Sequence, residues 1–284
     1  MQSSTVRYAV EDGIELVADV AGEPGAPCVV LMHGGGQTRF SWQGAMQELV
    51  KAGYRVVNYD ARGHGESSWA GPGGYGLARH AQDLARVIEQ EQGNEVALVG
   101  ASLGGATALR LMAGGVRPSA VVLVDIVPRP DPKGVQRIRD FMLGNPDGFG
   151  SLEEVADAIA AYNPHRPRPT DSAGLMRNLR VREDGRLRWH WDPAFLGRQI
   201  TVELAELHDT IKGARGAGGV PVLLIRGLSS DVISQRGLDE LRDALPALEI
   251  FDVPNAGHMV AGDRNDAFNQ GMIQFLAQHF PGRS

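Results

Sequence analysis

The chain has 284 residues, 43% hydrophobic and 22% charged, which excludes the low-hydrophobicity, high-charge profile of a disordered protein. Its 28 Lys and Arg against 34 Asp and Glu leave a net charge of −6 with no nucleic-acid footprint, and the single cysteine, Cys28, rules out an intrachain disulfide or a multi-cysteine zinc site. No apolar run approaches the ~20 residues of a membrane span, and residues 1–8 lack the pattern of a secretory leader, so a cytoplasmic globular protein is expected.

Residues 6–10 and 14–20 flank Glu11-Asp12-Gly13, a hairpin signal. Short apolar runs at 28–32, 55–59, 96–99 and 120–124 read as strands buried on both faces, as parallel sheets demand. Helix-like stretches at 42–52 and 78–90 alternate with them; the second keeps Ala81, Leu84, Ala85 and Ile88 on one side. The rhythm stops after Asp125. Residues 129–200 carry amphipathic helical pieces at 135–143 and 152–161 and a Pro- and Arg-rich run at 163–169. It resumes with strands at 222–225 and 248–253 and helices at 235–244 and 266–280. The expected fold is α/β: a mostly parallel central sheet flanked by helices, with an antiparallel N-terminal edge. Residues 1–128 and 201–284 form the core, and 129–200 form an inserted helical cap.

The insert holds 12 Lys and Arg against 10 Asp and Glu, while the remainder holds 16 against 24. This reads first as a solvated helical surface in a chain that uses arginine in place of lysine. A mildly basic lid favouring an anionic substrate is the other reading.

The strand at 96–99 runs into Gly100-Ala101-Ser102-Leu103-Gly104-Gly105 and then a helix. Gly-x-Ser-x-Gly alone is a weak pattern, but between a buried strand and a helix it presents a serine on a strained turn at a helix N-terminus. A serine hydroxyl needs a base to take its proton. His258, in the loop after the strand at 248–253, lies where open α/β sheets place their ligand groups. The acid that orients the imidazole is expected at Asp231, after the strand at 222–225, with Asp125, at the end of the strand at 120–124, as its rival. The strand at 28–32 ends in His33-Gly34-Gly35-Gly36, whose bare amides suit an oxyanion; the expected donors are the N–H groups of Gly35 and Leu103, with His33 bracing the loop.

With these motifs in order, the chain resembles the α/β-hydrolase fold family, in particular its epoxide-hydrolase-like and haloperoxidase-like members, which the run 59–67 (Tyr-Asp-Ala-Arg-Gly-His-Gly-Glu-Ser) also matches. The resemblance covers the chain except the insert, where this family carries a variable cap. Epoxide hydrolases and haloalkane dehalogenases of the family place an aspartate at the elbow, and epoxide opening there typically uses a pair of tyrosines. Here the elbow holds Ser102 and the insert only Tyr162, so attack on an acyl carbon is expected.

The resulting expectation is a serine hydrolase acting on an ester, thioester or lactone of a small, largely apolar molecule, with no metal or organic cofactor. Perhydrolase or haloperoxidase-like chemistry, C–C bond hydrolysis, a lyase reaction and a non-catalytic ligand receptor remain the alternatives. Gly34, Phe141, Tyr162, Trp189 and Trp191 are the candidate substrate-binding residues, the last four from the aromatic-rich insert.

Overall fold

Runs that are apolar at every position become the central strands, since only a sheet covered on both sides can bury two faces. In this computed structural model, which describes residues 3–283 apart from 92–94, 165, 198, 215–218 and 261–264, the strands Cys28–Met32 (β3) and Ala120–Val124 (β6) are buried along their whole length. The edge is different. Ser3–Ala9 (β1) and Glu15–Ala21 (β2) form the expected antiparallel hairpin, turning where Asp12 and Gly13 take positive φ.

With Arg55–Tyr59 (β4), Val96–Ala101 (β5), Val222–Gly227 (β9) and Leu248–Val253 (β10), the described strands form one sheet in the order β1-β2-β4-β3-β5-β6-β9-β10. From β4 to β10 every neighbouring pair is parallel. Alternation along each strand divides the core in two. Cys28, Val30 and Met32 join one apolar cluster, and Val29 and Leu31 the other.

The second cluster is covered by helices Gln43–Lys51 (α1) and Asn265–His279, through Ala45, Met46, Leu49, Phe268, Met272 and Leu276. Each large apolar side chain buried this way contributes about 1.5–3 kcal/mol. The first cluster is covered by Leu77–Gln90 (α2), Leu103–Ala113 (α3) and Gln235–Ala244.

Between β6 and β9 the chain makes helices Pro132–Leu143 (α4), Leu152–Tyr162 (α5) and Ser172–Met176 (α6). α4 and α5 start on side-chain caps, Asp131 accepting from the Lys133 amide and Ser151 from the Glu154 amide. The insert adds a small hairpin to these helices, Leu179–Val181 (β7) with Leu187–Trp189 (β8). A further helix that the sequence pattern did not suggest, Gln199–Gly213 (α7), packs on α2, α3 and Gln235–Ala244 (α8), so the chain has rejoined the main helical layer before β9. Asn265–His279 is then α9. Among the described residues, no helix is long and apolar enough to cross a membrane.

Candidate active site

β5 is flanked by β3 and β6, and its end is where backbone crowding is greatest. A Cβ at Gly100 would lie 2.4 Å from the carbonyl carbon of Gly104, and one at Gly104 would lie 2.4 Å from the carbonyl oxygen of Met32. Only glycines let the strand, the turn and α3 approach this closely. Between them Ser102 is held at φ 45° and ψ −107°, a conformation costing a non-glycine residue about 1–3 kcal/mol. Its amide donates to the Val124 carbonyl at 3.0 Å, tying the turn to β6. The hydroxyl makes no cap bond to α3, so it is not spent as a helix N-cap.

His258 follows β10 and lines the same cavity as Ser102. Its Nδ1–H donates to Oδ2 of Asp125 at 2.7 Å. The carboxylate that meets this imidazole is therefore Asp125 and not the expected Asp231. Asp125 directly follows β6 with a φ of 49° and is fully buried, and its carboxylate collects two further donors, the Gly227 amide at 3.1 Å and the Ser230 hydroxyl at 2.5 Å. Asp231 instead turns outward. Its carboxylate is 42% exposed and is gripped by Arg137 of α4, Nε at 2.7 Å and Nη2 at 2.9 Å. The turn after β9 contributes Ser230, not Asp231, to the imidazole's carboxylate. With Nδ1–H committed to Asp125, the neutral ring carries its basic lone pair on Nε2.

Opposite the elbow, the glycine loop after β3 is pinned at three points. The Gly34 amide donates to Oε1 of Gln37 at 2.9 Å, and the Gly36 amide donates to Nε2 of His64 at 3.0 Å. His33 donates from Nδ1 to the Gly34 carbonyl at 2.8 Å and accepts the Ala61 amide on Nε2 at 2.9 Å, so it braces the loop. A Cβ on Gly34 would stand 3.5 Å from the Ser102 Cβ. The amides of Gly35 and of Leu103, first residue of α3, have no partner among the described residues, and both residues line the cavity.

Burial is the main force on the four histidines around this loop. It lowers His33, drives His64 well below its ordinary value with help from the neighbouring His33 and His190, and brings His80 and His190 down to about 3. Burial thus favours the neutral form of all four imidazoles, and the hydrogen bonds of His33, His64 and His190 hold backbone groups of the loops around the glycine run. The run 59–67 belongs to the same scaffold. Asp60 accepts from the Arg39 amide at 2.7 Å and the Glu66 amide at 3.0 Å, and Arg62 makes a two-pronged bond to Asp83 at 2.6 and 2.7 Å.

The cavity encloses about 360 Å³, at the lower end of the range for small-molecule pockets. Gly34, Phe141, Tyr162, Trp189 and Trp191 all line it. The aromatic residues form a continuous wall, Tyr162 stacked on Phe141 at 4.3 Å and Trp189 on Trp191 at 5.0 Å, with Phe141 and Trp189 rings 5.4 Å apart. Sequence reasoning left out Arg139, Arg166 and Asn178, which also line it; their signal, polar positions on amphipathic insert helices and turns, does not distinguish a cavity wall from a solvated face. Among the described residues no three His, Cys, Asp or Glu side chains converge as a metal site.

Residues 29–270 match the Alpha/beta hydrolase family. Esterase Rv0045c of Mycobacterium tuberculosis is 30% identical over 248 residues, covering 84% of this chain and 79% of the relative. The crystal structure of that esterase superposes with a TM-score of 0.74 at 27% identity, covering 97% of this chain and 92% of that one. E-2-(acetamidomethylene)succinate hydrolase superposes with a TM-score of 0.80 over 97% of this chain and 99% of its own, at 22% identity, a likeness of fold. From strand order to elbow, and by this match across most of its length, the chain belongs to the alpha/beta hydrolase family of enzymes.

Proposed function

We propose that this enzyme is a serine hydrolase that cleaves an ester, thioester or lactone of a small, largely apolar substrate through an acyl-enzyme. The observation that carries the reading is the Asp125–His258 hydrogen bond at the rim of the cavity that Ser102 lines. His258 Nε2 takes the proton of Ser102 as Oγ attacks the carbonyl carbon. The oxyanion accepts from the Gly35 and Leu103 amides, whose contribution is about 2.7–4 kcal/mol for one such donor. Collapse of the tetrahedral intermediate expels the alcohol or thiol, which leaves with the proton from His258. Water, deprotonated by the same nitrogen, then attacks the acyl carbon, and the carboxylic acid departs as Ser102 recovers its proton. Asp125 holds the tautomer throughout.

Residues 129–200 act in this reading as a cap over the core formed by 1–128 and 201–284, walling the cavity with Phe141, Tyr162, Trp189 and Trp191. The similarity to an esterase of Mycobacterium tuberculosis supports acyl chemistry. The test is turnover of p-nitrophenyl acetate, with labelling by a fluorophosphonate located by peptide mass. Ser102→Ala is expected to lose both label and activity, the latter by about 10⁴-fold or more. An S102A protein that keeps most of the wild-type rate, or a label found elsewhere, refutes the assignment.

A further inference from the structure

We infer that Ser230 is a positioning residue for the reaction, its hydroxyl holding the Asp125 carboxylate in the orientation that meets His258. The inference rests on the serine-hydrolase reading and extends the relay by one residue.

One oxygen of Asp125, Oδ2, takes two donors, the His258 imidazole at 2.7 Å and the Ser230 hydroxyl at 2.5 Å. The other, Oδ1, takes the Gly227 amide at 3.1 Å. The torsion that turns a carboxylate about its Cβ–Cγ bond is broad, so a single long bond to Oδ1 holds the plane loosely. Turning that plane carries Oδ2 away from Nδ1. With Ser230 in place each oxygen has its own donor, and the plane is set independently of the imidazole. Short O–H···O⁻ bonds are among the strong ones, which suits this task.

The hydroxyl proton has one place to go. Oγ of Ser230 accepts the Val232 amide at 3.2 Å, and an ionised carboxylate can only accept, so the proton lies between Oγ and Oδ2.

Ser230 is itself fixed by backbone. Its amide donates to the Gly227 carbonyl at 3.1 Å, and the amides of Leu228 and Ser229 donate to the carbonyls of Val253 and Ala256 at 3.1 and 2.9 Å. A Cβ at Gly227 would lie 2.3 Å from the Ala256 carbonyl oxygen and 2.4 Å from that of Gly257, so this close approach requires glycine. The turn that carries Ser230 therefore also grips the loop leading into His258, and the acid and the base are referenced to one piece of backbone. Its neighbours do neither job. Ser229 is exposed and its hydroxyl has no partner among the described residues, and Asp231 faces Arg137.

The test follows kcat and KM for p-nitrophenyl acetate together with the rate of fluorophosphonate labelling at Ser102. Ser230→Ala should lower kcat and the labelling rate by about tenfold to a hundredfold while KM stays within about twofold of wild type. Ser230→Thr keeps the donor and should recover most of the loss, and Ser229→Ala should match wild type. In the D125N protein, where no carboxylate is left to orient, Ser230→Ala should cost about threefold or less, because the two changes remove one function. A Ser230→Ala protein within about threefold of wild type overturns the inference, as does a loss that persists undiminished in the D125N background. Either result leaves the serine-hydrolase reading standing.

If wild type neither labels at Ser102 nor turns over the ester, the serine-hydrolase reading fails first. The hold of Ser230 on Asp125 is then judged by urea denaturation. A smaller midpoint loss for Ser230→Ala in the D125N background than in wild type supports it; equal losses in the two backgrounds reject it.

Discussion

His258 and Asp125 are joined by an Nδ1–H···Oδ2 hydrogen bond of 2.7 Å, although 133 residues separate them in the chain. The carboxylate sits at the end of β6, one strand over from the elbow, and is fully buried under donors from β9 and its following turn. Asp125→Asn should therefore leave the fold in place but offer the imidazole a donor amide or a misdirected tautomer, lowering kcat by about 10⁴-fold. Asp231→Asn loses only a half-exposed ion pair to Arg137, worth about 0–1 kcal/mol, so its kcat on p-nitrophenyl acetate should stay within a few-fold of wild type. Equal losses in the two variants would reject this division of roles.

The backbone at Ser102 makes a second, thermodynamic prediction. Glycine normally destabilises relative to alanine by roughly 0.5–1 kcal/mol inside regular structure. At a φ of 45° that order should invert, because alanine retains the Cβ strain that serine bears and glycine sheds it. Both S102A and S102G should be inactive, with S102G at least as resistant to urea as S102A. A clearly lower midpoint for S102G would show that the elbow is not strained. Gly104→Ala should go the other way, since the new methyl would meet the Met32 carbonyl at 2.4 Å.

The same two sites explain what the sequence did and did not reveal. The elbow was legible because its glycines are demanded locally: strand, turn and helix collide unless positions 100 and 104 lack a Cβ. His258 was legible from its place after a strand. Asp125 and Asp231 also both follow parallel strands, and nothing local separates them. What decides is long-range: Asp125 adopts a φ of 49° under the Gly227 amide and the Ser230 hydroxyl, while Arg137, brought in by the insert, draws Asp231 away. The insert was the least readable part for the same reason. The β7–β8 hairpin closes through pairs such as Leu179 with Trp189, and α7 is fixed by packing on α2 and α3, so neither advertises itself in a local period.

His33 braces the glycine loop to which the proposed mechanism assigns the oxyanion. The Gly34 carbonyl that accepts its Nδ1–H belongs to the same peptide plane as the Gly35 amide. In a trans peptide the two groups point in opposite directions, so fixing one aims the other. Accepting that bond also polarises the amide, which strengthens it as a donor. His33→Ala should lower kcat by about 10–100-fold, less than outright loss of an oxyanion donor, while KM changes little. His33→Asn, whose side-chain amide can still reach the Gly34 carbonyl, should recover part of the rate. A rise in KM with kcat unchanged would mean that the loop shapes binding instead.

Stability should fall on mild acidification, and the buried histidines set the window. His80 is lowered to about 3 by burial first and by the charge of Arg62 second, and His190 to about 3 by burial and then by His33. In the unfolded chain these imidazoles take up protons near pH 6.5. Between pH 6.5 and about 3 the unfolded state thus binds more protons than the folded one, and stability decreases as the pH falls. At roughly 1.4 kcal/mol per pH unit for each such group, going from pH 6.5 to 5 costs roughly 2 kcal/mol per histidine. His80 is the useful probe, since its Nε2 is buried without a hydrogen-bond partner and its removal orphans no donor among the described residues. Urea denaturation of His80→Leu at pH 7 and pH 5 should show a smaller difference between the two conditions than wild type, by about one proton's worth of slope. An unchanged difference would mean that residue 80 does not take up a proton on unfolding in this range, and that the acid sensitivity lies in other groups.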